Sequence, residues 1–198
     1  MLKPFKYLVA VVGVSLAALT AQGAHATEYK EHVMGAEDAP VTIVEYASFT
    51  CPHCARFANE VFPEVKKELI DTGKVKWIYR DYPLDGVAVR ASAVAQCSGD
   101  DRYFGVLELL FKSQLTWARS NDPIEGIKQV ARFAGMDGET VDKCLADEEL
   151  INGIVGSRLE AEQKYNVNAT PTFLIDGKTY SGEKDLKFFA DKVDDLTN

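Results

Sequence analysis

Val41-Thr42-Ile43-Val44-Glu45-Tyr46 runs through Phe49-Thr50 into Cys51-Pro52-His53-Cys54, and this stretch decides the reading of the chain. Six extended, mostly apolar residues give way to a pattern with Phe57, Val61, Phe62, Val65 and Leu69 at spacings of three and four, which predicts a strand followed by a helix. Two cysteines three residues apart therefore fall at the start of a helix. The N–H groups of a helix's first turn have no partner within the helix and stabilise an anion. A cysteine placed there ionises readily, and the thiolate is the reactive form. The second cysteine, one turn further in, can close a small ring with the first.

Working outward, Glu28 to Val33 is expected as a short strand, Gly35 to Pro40 as a turn, and Pro52 to about Asp71 as one helix kinked at Pro63, which lacks an N–H. Val75 to Arg80 is the next strand. From Gly86 to about Tyr165 the pattern is wholly helical. Its apolar stripe comprises Tyr103, Phe104, Leu107, Leu110, Phe111 and Leu115, and Asp122-Pro123 opens a further helix. Strand signals return at Thr172 to Ile175 and at Thr179-Tyr180, around the turn pair Asp176-Gly177. A last helix presents Leu186, Phe189, Ala190 and Val193. A helical subdomain inserted into an α/β domain accounts for this order.

Lys3 and Lys6, the apolar run Tyr7 to Leu19 and Ala24-His25-Ala26 read as a secretory signal peptide over residues 1–26, cut after Ala26. The apolar run is shorter than the roughly 20 residues of a spanning helix, so stable membrane insertion of the mature chain is not expected. The 198 residues carry 22 basic and 30 acidic side chains, a net charge of −8, and loss of Lys3 and Lys6 takes this to −10. Such a balance argues against nucleic acid as a partner. All four cysteines follow the leader, and export places them where disulfides persist. With Cys51 and Cys54 adjacent, Cys97 and Cys144 are expected as a structural disulfide, the alternative being two buried free thiols. CxxC with His53 supplies too few ligands for a closed metal site, and no phosphate loop or nucleotide fingerprint is present, so neither a metal nor an organic cofactor is implied.

Met34 to Tyr46 running into Phe49-Thr50-Cys51-Pro52-His53-Cys54, together with Ala169-Thr170-Pro171-Thr172-Phe173, resembles the DsbA-like thiol:disulfide oxidoreductases of bacterial envelopes, a branch of the thioredoxin superfamily. The resemblance covers essentially the whole mature chain. It implies a thioredoxin fold built from about 27–85 and 166–198, with a helical insertion at about 86–165. It implies a redox-active disulfide in which Cys51 is the exposed nucleophile and Cys54 the buried resolving thiol, with Pro52 and His53 setting the poise. Thr170 and Pro171 would form a cis-proline loop that binds extended substrate segments by strand addition. Glu45 would be an acidic residue beneath the site, relaying protons to Cys54, unless Lys76 or Arg80 pairs with it. The implied activity is oxidation of thiols in folding exported proteins in the periplasm, with reoxidation by a membrane-bound partner. The alternatives are a disulfide isomerase or reductase of the same fold, favoured by a threonine before the proline, and a non-catalytic binding or metal-delivery module.

Overall fold

The computed structural model describes residues 28–198, and the expected signal peptide lies outside the described residues. Five strands form one sheet: β1 (His32–Met34), β2 (Val41–Ala47), β3 (Val75–Asp81), β4 (Thr172–Ile175) and β5 (Lys178–Ser181), in the order β1-β3-β2-β4-β5. Only β2 and β3 are parallel, joined by the helical crossover that a parallel pair requires. The central strand β2 is buried on both faces, as its nearly continuous apolar composition demands.

Residues of β2 alternate between two cores. Ile43 packs with Trp77, Phe173, Phe57, Val65 and Phe189 on one side, and Val44 and Tyr46 pack with Ile78, Leu174, Ala161 and Val167 on the other. The β4–β5 hairpin turns through Asp176 (φ 47°) and Gly177 (φ 70°). Two consecutive positive φ values make the turn whose twist matches its strands.

The helical run after Cys51 comprises α1 (Pro52–Arg56), a π turn (Phe57–Val61), α2 (Phe62–Val65) and a second π turn (Lys66–Ile70). The expected kink at Pro63 is thus resolved as a widened turn. Pro63 cannot donate to the preceding turn, and the π geometry before it leaves room for the ring.

Between β3 and β4 lie α3 (Gly86–Cys97), α4 (Tyr103–Lys112), α5 (Gln114–Trp117), α6 (Pro123–Phe133), α7 (Gly138–Ala146) and α8 (Glu148–Tyr165), and α9 (Leu186–Thr197) follows β5. Aspartates open five of these helices, the carboxylates of Asp85, Asp122, Asp137, Asp147 and Asp185 each accepting an N–H from the first turn. Such caps contribute about 1 kcal/mol each. The expected apolar stripe ends at Phe111, because α4 stops at Lys112 and the chain restarts as α5 with Leu115 turned outward and 62% exposed. No helix among the described residues is long and apolar enough to cross a membrane.

The segment before the sheet is tied to the inserted helices, so the first strand begins later than its sequence suggests. The amide of Gln96 on α3 accepts from His32 Nε2 at 3.1 Å and donates to the Lys30 carbonyl at 3.1 Å, and the His32 ring stacks on Tyr103 at 3.5 Å. Beneath them Asp81 is buried against Ser92 and Gln96, and burial raises its carboxyl to about 6. Cys97 and Cys144 are bonded and link the end of α3 to α7.

Candidate active site

One apolar cluster joins the sheet to the insertion. Ala47, Phe49, Cys51 and Cys54 share it with Tyr103, Leu110, Phe111, Trp117 and Ile127. The loop leaving β2 is therefore built on a floor supplied by helices that come later in the chain.

Cys51 is the N-cap of α1, in extended conformation, and Pro52 occupies the first helical position, where its missing N–H costs nothing. Cys51 and Cys54 are free thiols, and Cys51, expected to be exposed, is itself buried (5% exposed) because the loop at Thr170 lies against its sulfur. Their acidities diverge. The Cys51 pKa is lowered from 9.0 to about 5, chiefly by the hydrogen bond from the Cys54 thiol; burial opposes this, while the N–H groups of Cys54 and His53 add to the lowering. Cys54 is fully buried and is pushed well above its ordinary value, first by burial and then by Cys51 and Glu45. Three residues of separation thus yield one sulfur poised to be an anion and one held as a thiol.

The thiol of Cys51 donates to the Thr170 carbonyl at 3.3 Å. The Thr170–Pro171 peptide bond is cis. The Pro171 carbonyl accepts from Gly182 N–H at 2.8 Å, which holds this loop to the end of β5 and brings Glu183 to the mouth of the site. The hydroxyl of Thr170 is buried without a hydrogen-bond partner among the described residues.

His53 is exposed, and its Nδ1 lies within hydrogen-bonding distance of both the Glu183 carboxylate and, at 2.8 Å, the Arg56 guanidinium, while Glu183 also pairs with Arg56 at 3.0 Å. What His53 brings to the Cys51 sulfur is its backbone N–H.

Glu45 lies in register with Tyr79 of β3, on the sheet face that points toward Cys54. It is 5% exposed and accepts a hydrogen bond from Trp77 Nε1 at 3.3 Å. Burial raises its carboxyl from 4.5 to about 8. Neither basic residue considered from sequence reaches it. Lys76 pairs with Glu37, and Arg80 pairs with Glu31 and donates to Tyr46 Oη at 2.8 Å. Strand alternation explains this, since residues 76 and 80 project from the face opposite to 45, 77 and 79.

Sequence reasoning missed Gln114, Glu183 and Arg56. Gln114 donates from α5 to the carbonyls of Phe49 and Cys51 at 2.7 and 2.9 Å. No local pattern marks a glutamine 63 residues away as part of the site. A notch of 270 Å³ beside Pro52 is lined by Thr50, Val87, Gln114, Leu115 and Arg119. A larger groove of 550 Å³ between α4 and α6 contains none of the site residues. The Cys97–Cys144 bridge lies in the inserted helices, apart from the dithiol.

Residues 27–195 match the family model described as Thioredoxin. The chain is 31% identical to the crystal structure of alpha-DsbA1 from Wolbachia pipientis, with a TM-score of 0.78 over 84% of this chain and 90% of that one. It is 30% identical over 167 residues to disulfide bond formation protein D of Bacillus subtilis, covering 80% of this chain and 71% of that protein. It is also 31% identical over 146 residues to a putative protein-disulfide oxidoreductase of Rickettsia bellii. That match covers 73% of this chain but only 56% of the Rickettsia protein. With the sheet order, the inserted helices and these matches together, the chain belongs to the DsbA-like branch of the thioredoxin superfamily.

Proposed function

We propose that this protein is a thiol:disulfide oxidoreductase that introduces disulfides into exported proteins in the periplasm. The opposed acidities of Cys51 and Cys54 carry this reading. A dithiol whose first sulfur is stable as an anion is stabilised in its reduced form, so its disulfide is a strong oxidant, as it is in DsbA, the namesake of this family.

In the oxidised protein a substrate thiolate attacks the Cys51 sulfur of the Cys51–Cys54 disulfide. The S–S bond breaks, its electron pair goes to Cys54, and a mixed disulfide forms between Cys51 and substrate. Glu45, near neutrality in its acidity, delivers the proton that Cys54 takes up. A second substrate thiolate then attacks the substrate sulfur of the mixed disulfide, and Cys51 departs as a thiolate. Two electrons have moved to the protein, and the substrate holds a new disulfide. The loop at Thr170 and Pro171 lies beside the Cys51 sulfur and supports pairing with an extended substrate segment. A membrane-bound redox partner would restore the disulfide.

Thr170 supports a second reading, disulfide isomerisation, which needs the same dithiol kept reduced. The discriminating experiment runs oxidation of a reduced, unfolded protein beside repair of a scrambled one, with the reduction potential measured on the same sample. A potential of about −120 mV with fast oxidation supports the oxidase, and one of about −270 mV, the thioredoxin value, overturns it. Full activity of Cys51→Ser would instead favour a non-catalytic binding module.

A further inference from the structure

Gln114 is 3% exposed, and its carboxamide nitrogen spends its hydrogen bonds on the loop that carries the nucleophile. A primary amide has two N–H donors, and here one serves the Phe49 carbonyl and one the Cys51 carbonyl. The Cys51 carbonyl also accepts from Ala55 N–H at 3.1 Å, so both of its lone pairs are engaged. The Cys51 N–H is held in turn by the Ser48 carbonyl at 3.1 Å. With the peptide groups on both sides of Cys51 pinned, the backbone from which its sulfur projects at the start of α1 is held in place.

The support behind Gln114 is stiff. Trp117 Nε1 donates to the Leu110 carbonyl at 2.8 Å, and the hydroxyl of Ser113 donates to the Leu109 carbonyl at 2.6 Å, binding α5 to α4. Gly126 of α6 lies so close behind that a methyl group there would meet Trp117 Cβ at 2.7 Å. Helix α5 is thus clamped from both sides with its first residue aimed at the loop.

We propose that Gln114 is a positioning residue for disulfide exchange, through which the inserted helices fix the Cys51 sulfur against the N–H groups of the helix start. This rests on the reading of Cys51 as the exchanging sulfur. It assigns the insertion a part in tuning the chemistry in addition to covering the site. A glutamine that merely satisfies two buried carbonyls would stabilise the fold without setting the acidity of Cys51, and that difference is measurable.

Gln114→Met keeps the side-chain length and removes both donors. In the reduced full-length protein it should raise the pKa of Cys51 by about one unit, which from a value of about 5 is an approximately fivefold loss of thiolate at pH 5. Alkylation of Cys51 by iodoacetamide should slow by the same factor. Ser113→Ala, which loosens the same turn without touching the loop, should leave both values unmoved even if its melting temperature falls. Gln114→Met that melts early but titrates like the parent overturns the proposal. Should Gln114→Met fail to fold, NMR of the unaltered protein decides. The two side-chain amide protons of Gln114 should exchange slowly with solvent and shift when the Cys51–Cys54 disulfide closes; exchange as fast as that of an exposed glutamine overturns the assignment. Alkylation requires no disulfide transfer. A protein that oxidises no substrate but still shows the Gln114→Met shift would retain the positioning role and lose the proposed activity.

Discussion

The sulfur of Cys51 lies 3.3 Å from the carbonyl oxygen of Thr170, a residue 119 positions away. The contact follows from antiparallel pairing of β2 with β4, which brings the end of the first strand beside the start of the other. A group attached to the sulfur therefore emerges next to the main chain of the Thr170–Pro171 loop. In reduced protein the thiolate absorbance of Cys51 should grow in with a midpoint near pH 5. Cys51→Ser should abolish this transition and the mixed disulfide with it. A midpoint in the ordinary cysteine range, about 8.5, would contradict the assignment of the nucleophile.

Beyond the resolving role proposed for it, the Cys54 thiol supplies the largest part of the lowering at Cys51. Cys54→Ala should raise the Cys51 pKa by about one unit or more, because a donor to the anion is lost. The same variant should trap substrate in a stable mixed disulfide that non-reducing electrophoresis resolves. If Cys51 in Cys54→Ala titrates where the parent does, the helix start rather than the second thiol controls its acidity.

The Cys97–Cys144 bridge joins residues 47 apart in sequence. On the chain-entropy account a loop of that size stabilises by roughly 4 kcal/mol, less any native strain. The double variant Cys97→Ala, Cys144→Ala should lose a few kcal/mol in denaturant unfolding while its Cys51 titration and its oxidation rate stay unchanged. A large change in rate with little change in stability would show that this pair relays electrons.

Much of the architecture was legible because it is written locally. The period of β2, the helical spacing after Cys51, the helix start at Asp122-Pro123 and Asp176-Gly177 in the hairpin all act within a few residues. The two sulfurs, Glu45 and Pro171 were legible through pattern and resemblance. What escaped was long-range. Gln114 and Glu183 reach the site from elements 63 and 130 residues away, and nothing in their neighbourhoods distinguishes them from ordinary polar residues. Charge complementarity alone points to Lys76 or Arg80 as the partner of Glu45, but strand alternation puts Trp77 beside it and turns both basic residues away. The first strand begins late because the backbone N–H and carbonyl of Lys30 are both taken by the Gln96 side chain of the insertion, and Tyr29 is held through its hydroxyl by Ser157 and the Asp81 N–H.

Glu45 should make stability depend on pH in a definite direction. Its carboxyl is raised from 4.5 to about 8, so the folded protein holds a proton that the unfolded chain has released between those values. The stabilising contribution is complete below about 4.5 and is lost as pH rises toward 8, with a slope of up to about 1.4 kcal/mol per pH unit. Asp81 acts in the same direction but lower, from 3.8 to about 6. Cys51 opposes both in the reduced form, because its lowered pKa makes the fold more stable as pH rises from about 5 to 9. The oxidised protein, in which Cys51 does not titrate, removes that opposition, and buried His32, whose lowered pKa favours the fold as pH rises through about 6.5, acts alike in parent and variant. Urea unfolding of oxidised protein between pH 6 and 8 should show stability falling relative to Glu45→Gln as pH rises. The same substitution should slow capture of the proton by Cys54, and hence reduction of the disulfide by substrate. Parallel stability profiles for parent and variant between pH 6 and 8 would mean that Glu45 is ionised in the folded protein, and its role as proton carrier would fall with that result.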